Sequence, residues 1–421
     1  MNRSLLALLT LGSVTAAVTV AGCRSHDAAA DSPYARDVAD AVPKIEAAVG
    51  LKYKTPPKLE ERSKDQVRKF LEDKFNESLP ASELAGQQSA LRVLGLIPDT
   101  MQLRPFLLDL LTEQIVGYYD PRTKVLYVVK GADPTMTSMT VTHELVHALQ
   151  DQYINLDSIQ NLHSDGDRQA AAQAVIEGQA VYEQLRIATN NDLSAIPGGW
   201  DGIRESVRKN SAQMPLFSRA PLYIQETLIF PYLSGADFVK RFGEVAPGKQ
   251  PFSRMPTSTE QVMHPRAYEA SPPDDPTTVT LPAPRNATRV YDDVFGEFGT
   301  RLFIFQHTHD QAAAVRGANG WDGDRLMVVR TPKGEGIAWF SVWDTALDAG
   351  EFADLLKSTV FRRYGNQRER TVAGGSEYSG TGRTLRIIGG ENGGRSYVLY
   401  IDVPAGASAD IIDPGSVKLG S

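Results

Sequence analysis

The chain has 421 residues, 42% hydrophobic and 23% charged, the balance of an ordinary globular protein without low-complexity bias. Net charge is −7, the sequence pI is about 5.6, and lysine and arginine form no block, which argues against nucleic acid as a partner. The length favours two folded units over one, and a lone cysteine, Cys23, excludes an intramolecular disulfide.

The first element is a secretory signal over residues 1–22: Arg3, the apolar run Leu5–Gly22, small residues, then a break. The run is barely long enough to span a bilayer, so an uncleaved anchor is the plainer alternative and simple secretion another. The tetrapeptide Val20-Ala21-Gly22-Cys23 resembles the lipobox at which bacterial lipoproteins are cleaved and lipid-modified. That resemblance implies lipidation at Cys23, with the polar residues 23–33 as a tether. No second stretch is apolar enough to cross a membrane. The expected location is the cell envelope, on a membrane surface outside the cytoplasm.

Residues 34–116 read as helices, because Val38, Val42, Ile45 and Val49, then Val67, Phe70, Leu71 and Phe75, recur at helical spacing. In 117–130 a turn signal, Asp120-Pro121, separates a tyrosine pair from the β-rich run Val125–Val129, which predicts a hairpin or edge strand. Helices are expected over 136–154, 168–189, 201–213 and 222–242. Proline, aspartate and threonine dominate 271–288, the best candidate for a linker closing a first domain at 34–270. Beyond it, a helix near 292–316, strands at 326–330 and 336–342, a helix at 348–363 and strands at 384–388 and 396–402 predict a small α+β domain over 289–403. Residues 404–421 read as a disordered tail. The fold class expected for the whole is α+β.

The chemistry concentrates in VTHELVHALQD, residues 141–151. Positions i and i+4 of a helix share a face one turn apart, so His143 and His147 can offer imidazole nitrogens to one ion, zinc above all. Glu144 is rotated off that line, where a carboxylate can take a proton from a water that the metal acidifies. Two core histidines on a buried helix are the plain alternative, so a third ligand is needed. Three and six residues after His147 stand Gln150 and Tyr153, where metzincins carry glycine and histidine. The ligand must therefore come from elsewhere. Glu177, in VIEGQA, is flanked by Val175 and Ile176, a costly setting for a carboxylate unless a positive charge meets it. Gly178 and Ala180 beside it predict close packing of this helix on the histidine helix. His163, in the polar run NLHSDGD, is the rival ligand; Asp151 is either an orienting partner of a histidine or a surface charge. The run Val125–Val129 is either an ordinary core strand or an edge that holds an extended peptide, and the two are compatible. TSTEQVMHPRAY offers His264, and less so Tyr268, as an oxyanion donor, although a histidine before proline is more often structural.

With these runs in view the chain resembles the gluzincins, zinc metallopeptidases with two motif histidines and a glutamate from a following helix. More narrowly it is similar to a group of bacterial and archaeal zinc-peptidase-like proteins, often secreted or lipid-anchored. The shared runs are Tyr118–Pro121, Leu126–Val128, His143–Gln152, Glu177–Ala180, Phe230–Val239 and Ser258–Tyr268, with GWDGDR and FSVWDTALDAGEF further on. The resemblance implies a mainly helical zincin-like domain with a short sheet beside the active helix. It implies His143, His147 and Glu177 as Zn2+ ligands and Glu144 as general base, acting on a peptide or protein substrate. The gap from His147 to Glu177 exceeds the thermolysin-like spacing and implies an extra loop at about 155–167. A zinc amidase acting on peptidoglycan peptides, and a zinc-stabilised binding or assembly lipoprotein, are the alternative readings.

Overall fold

The computed structural model describes residues 34–78, 80–159, 165–193, 199–380 and 382–420. The signal, Cys23, the tether and His163 lie outside the described residues. Among the described residues no helix is long and apolar enough to cross a membrane.

The N-terminal half is built around a small sheet. Helix α1 (Ala35–Val49) turns Ala41, Ile45 and Val49 inward and stops at Gly50, whose left-handed φ of 75° closes the last turn. There follow β1 (Lys58–Arg62), α2 (Lys64–Ser78), α3 (Ala81–Val93), α4 (Leu103–Gln114), β2 (Gly117–Asp120) and β3 (Val125–Val129). Strands β2 and β3 pair as the expected antiparallel hairpin, and β1 runs parallel to β3 on its other side. The order β1-β3-β2 makes β3 the central strand, which corrects the edge-strand expectation for Val125–Val129. Its unbroken apolar run is the reason: Leu126 and Val128 pack on one face with Val141 and Leu145, while Val125, Tyr127 and Val129 fill the core on the other. A strand paired along both of its edges, by β1 and by β2, has none free for a peptide.

Helix α5 (Pro134–Gln150) begins with proline after Asp133, whose carboxylate accepts the Met136 amide, and it lays its apolar face on β3. The short α6 (Leu156–Ile159) leads to α7 (Gly166–Ala188), then α8 (Gly199–Ala212) and α9 (Leu222–Val245). Helix α7 is buried on nearly all sides. Of the two small residues predicted to pack on the histidine helix, Ala180 does so, in one cluster with Val141, Leu145 and Leu149, and Gly178 does not. Gly178 faces α9, where a Cβ would come within 2.1 Å of the Gly235 carbonyl carbon, and a Cβ on Gly235 within 2.0 Å of the Ala174 oxygen. Glycine on both sides of this crossing lets α9 press α7, and with it Glu177, towards α5.

After α10 (Thr259–Met263), α11 (Pro265–Glu269) and β4 (Thr278–Thr280), strand β5 (Thr288–Asp293) opens the second half. The helix expected near 292–316 is this strand's end and two helices, α12 (Gly296–Thr308) and α13 (Gln311–Ala318). They are divided where His309 turns left-handed and Asp310 caps the next helix. Strands β6 (Trp321–Thr331) and β7 (Gly334–Trp343), helix α14 (Ala346–Tyr364), and β8 (Arg368–Val372), β9 (Gly375–Ser379), β10 (Arg383–Asn392) and β11 (Arg395–Pro404) complete it. Together they give a seven-stranded antiparallel sheet in the order β5-β6-β7-β11-β10-β9-β8. The fold is α+β. Strands β8 and β9 escape sequence reading because RERTV and GSEYS are mostly polar.

Two expectations are corrected here. The tail at 404–421 is not disordered: β12 (Lys418–Gly420) pairs with β4, and Ala409, Ile411, Ile412 and Val417 are buried. The segment 271–288 is not a free linker, since Val279 and Leu281 join the same cluster. The cause is the sheet, whose far face carries Met327, Val329, Phe340, Val342, Leu399 and Ile401 and needs a cover. One apolar cluster runs from Leu91 and Leu94 to Phe303 and Trp339, so the halves differ in architecture but share a core.

Buried acids gather at their junction. Asp167 accepts the Thr259 amide and hydroxyl, and Asp324 accepts the Phe295 and Gly296 amides and the Trp339 indole N–H. Burial, with Glu297 nearby, pushes Glu260 up to about 10. A carboxyl whose folded value is raised binds its proton more tightly in the folded state, so its stabilising contribution is complete below about 4.5 and declines through the neutral range. Glu260→Gln should therefore raise the urea midpoint at pH 8, by about 1–3 kcal/mol of stability, and change it little at pH 4. Equal shifts at both values would contradict the neutral buried carboxyl.

Candidate metal centre

Histidines 143 and 147 lie on one face of α5, and Glu177 reaches them from α7. His143 Nε2 and His147 Nε2 are 3.1 Å apart, and Glu177 Oε2 is 3.1 Å from the first and 3.3 Å from the second. Three lone-pair-bearing atoms in so tight a triangle repel one another unless a cation or a proton joins them. A tetrahedral zinc site, with bonds of about 2.0–2.1 Å, holds its ligand atoms about 3.3 Å apart. The two nitrogens and one oxygen therefore fit a zinc-like ion in both spacing and donor type. All three side chains are at least nine-tenths buried.

Electrostatics agree with that fit. Burial works against a charged His147, yet Glu177, then Glu144, outweigh it and hold the imidazole up to about 9. Burial likewise opposes the Glu177 carboxylate, but the histidines bring it down to about 2. The pocket is organised for a positive charge. The second oxygen of Glu177, Oε1, accepts from Gln173 Nε2 at 3.0 Å, one helical turn back.

Glu144, on the same helix, lines one pocket with His147 and Glu177. Its Oε2 accepts the Tyr119 backbone N–H at 2.8 Å, which ties the carboxylate to strand β2. The Tyr119 hydroxyl donates to Asp151 Oδ2 at 2.8 Å, and Lys124 Nζ meets the same oxygen at 2.6 Å. Asp151 thus fastens the β2–β3 hairpin to the end of α5 and orients no histidine. That task falls to Gln150, whose Oε1 lies 2.8 Å from His147 Nδ1. Gln150, Gln173 and Tyr119 were not singled out by sequence reading. The available signal was their spacing: Gln150 three residues after a motif histidine and Gln173 four before Glu177.

His264 is not brought to this centre. It lies between α10 and α11, 2.8 Å from Glu297 Oε1, and that hydrogen bond raises its pKa against the opposing effect of burial. The Tyr268 hydroxyl donates to the Arg254 carbonyl and the ring packs against Phe238. The oxyanion role expected of His264 gains no support, since Glu297 holds its Nε2 and it is not among the residues that line the space beside Glu144 and His147. The STEQ run is a scaffold: Ser258 caps α10 and Thr259 holds Asp167 at the start of α7.

The space beside Glu144 and His147 is small, about 30 Å³, and is lined by Tyr119, Pro121, Leu156, Ile159 and Ile176. It has room for about two water molecules.

Residues 285–397 match the model of a family described as a domain of unknown function (DUF8575). That match falls on the seven-stranded unit and leaves His143, His147 and Glu177 outside it. A crystal structure from Chloroflexus aurantiacus, described as a "putative hydrolase with a novel fold", aligns at 19% identity over 55% of this chain and 86% of that one, with a TM-score of 0.35. No curated protein matches the chain.

Proposed function

We propose that this protein is a zinc-dependent peptidase of gluzincin type, hydrolysing peptide bonds outside the cytoplasm from a lipid anchor. The observation that carries the reading is the triangle of His143, His147 and Glu177 with Glu144 fixed beside it. Zinc, when bound there, would supply a Lewis acid that acidifies water and polarises a carbonyl. The chain supplies the rest. His143, His147 and Glu177 would hold the ion, and Gln173, donating to Glu177 Oε1, leaves Oε2 facing the histidines. The Tyr119 N–H aims the Glu144 carboxylate, which takes a proton from the attacking water and returns it to the leaving nitrogen. Leu156 and Ile159 supply apolar walls to the pocket beside Glu144 and His147.

The burial of all three candidate ligands favours a second reading, a closed metal site that only stabilises a binding lipoprotein. Glu144→Gln separates the two, because a structural site needs of Glu144 only an acceptor for the Tyr119 N–H, which glutamine keeps, whereas hydrolysis needs a group that can take a proton. The test is metal content and cleavage of a mixed peptide library, wild type against Glu144→Gln.

The anchor is supported by the order of the N-terminal signal and by Cys23 at its end. Intact mass of the membrane-bound protein should show a mature N-terminus at a lipid-modified Cys23. A start elsewhere, or an unmodified cysteine, would remove the anchor from the proposal.

A further inference from the structure

Behind His147 runs a chain of three glutamine side chains. Gln150 Nε2 donates to the Ile176 carbonyl at 3.1 Å and to Gln179 Oε1 at 2.9 Å. Gln179 Nε2 donates to Gln250 Oε1 at 3.0 Å, and Gln250 Nε2 to the Val49 carbonyl at 2.8 Å. The chain crosses from α5 through α7 and the turn before Pro251 to the end of α1. Gln150 is 1% and Gln179 2% exposed, so water cannot substitute for a missing partner.

An amide has a donor end and an acceptor end, whereas a backbone carbonyl only accepts. The Val49 oxygen therefore requires the nitrogen of Gln250 to face it, which leaves the Gln250 oxygen for Gln179. Gln179 in turn shows its oxygen to Gln150. Gln150, with both N–H bonds committed to Ile176 and Gln179, has only its oxygen left for His147. His147 must then donate from Nδ1. Its Nε2 lone pair is the one that faces His143 Nε2 and Glu177 Oε2. Reversing any amide would set oxygen against oxygen or nitrogen against nitrogen at about 3 Å in the interior.

We infer that Gln150 is a positioning residue that fixes the His147 tautomer for metal binding, its own direction dictated by the Ile176 and Val49 carbonyls, the latter through Gln179 and Gln250. This rests on the metal-centre reading given above. It also accounts for a neutral amide, not a carboxylate, behind His147: a carboxylate has no N–H for Ile176 or Gln179. The helix that carries the histidines, the helix that carries Glu177 and the N-terminal α1 are thereby linked to one ring nitrogen.

The test uses the full-length chain in detergent, with zinc affinity read by chelator competition and the His147 ring protons by ¹H–¹⁵N NMR. Gln150→Leu should weaken zinc binding about 10–100-fold, the usual loss for a partner behind a ligating histidine. Gln179→Leu, which keeps the Ile176 contact and breaks the relay, should cost about three- to tenfold. Gln179→Glu combined with Gln250→Leu, which still offers Gln150 an acceptor and removes the oxygen of Gln250 that a carboxylate at 179 would oppose, should recover affinity to within about twofold of wild type. In wild type a slowly exchanging Nδ1–H should be seen with and without zinc, and Gln150→Leu should lose it. Unchanged affinity in Gln150→Leu, or a protected proton on Nε2 of the zinc-loaded protein, would overturn the inference. Should Gln150→Leu fail to fold, the Leu–Glu contrast at Gln179 decides it. A wild type that keeps the protected Nδ1–H but takes up no zinc would sink the metal reading and leave the relay standing.

Discussion

Glu144→Gln is expected to keep zinc within about threefold of the wild-type affinity and to lose about 10³-fold of peptide hydrolysis, the scale of a deleted general acid–base group. The separation of the two effects follows from the local geometry. A glutamine at 144 retains an oxygen that can accept the Tyr119 N–H now bound to Glu144 Oε2, so α5 and β2 stay coupled and the histidines do not move. Only the ability to accept a proton is removed. The substitution also takes a negative charge from beside His147, one of the groups that favour the imidazolium. Proton competition for the site should therefore weaken slightly, which offsets the smaller attraction for the dication and keeps zinc affinity within that range. Metal content by mass spectrometry and turnover of a mixed peptide library measure both halves on the same samples. Cleavage that survives in Glu144→Gln would show another base at work. Zinc in both proteins with cleavage in neither would favour the closed, structural site.

Much of this centre was legible before any fold was known, because its chemistry is local. The i, i+4 spacing of His143 and His147 already places both rings on one helix face, and a carboxylate directly after Val175 and Ile176 already asks for a cation. What was not legible depends on distant partners. Nothing near Asp151 tells that Tyr119 and Lys124 would claim it, nor near Gln150 that Ile176 would offer a carbonyl. His264 misled for the same reason: its partner, Glu297, is 33 residues away, on a helix outside the half that holds the metal ligands. The glycine beside Glu177 was read correctly as a contact point, but its partner was the wrong helix, since small residues mark close approach without naming what approaches. The fold shows the same division. Helices of the first half followed from periodicity, whereas the tail was misjudged because proline, aspartate and serine around Ile411-Ile412 look like loop. Their burial is imposed by the far face of the sheet, which only assembly creates.

Glu177→Ala should abolish the zinc site while leaving most of the fold intact, and it carries the second large effect. Structural zinc sites with three or four ligands bind with about 10–16 kcal/mol, so one ligand is worth about 10²–10³-fold in affinity. Removing Glu177 also strips His143 and His147 of the carboxylate nearest to both. Without it, burial prevails at His147, its pKa drops from the raised value, and the metal-free His147 becomes neutral. The metal-free variant therefore escapes the cost of a buried unpaired cation, and it should unfold within about 1–2 kcal/mol of metal-free wild type. The contrast appears on adding zinc. At a free concentration of about a thousand times the wild-type Kd, binding stabilises wild type by about 4 kcal/mol, and the variant should gain at most about 1–2 kcal/mol. Thermal melts of both proteins with and without zinc read this directly, and His163→Ala serves as the control for the rival ligand. A zinc-induced shift that persists in Glu177→Ala and vanishes in His163→Ala would move the third ligand to the loop between α6 and α7. Loss in Glu177→Ala alone would tie the chemistry of the histidine helix to α7, and so to the Gly178–Gly235 crossing that holds α7 in place.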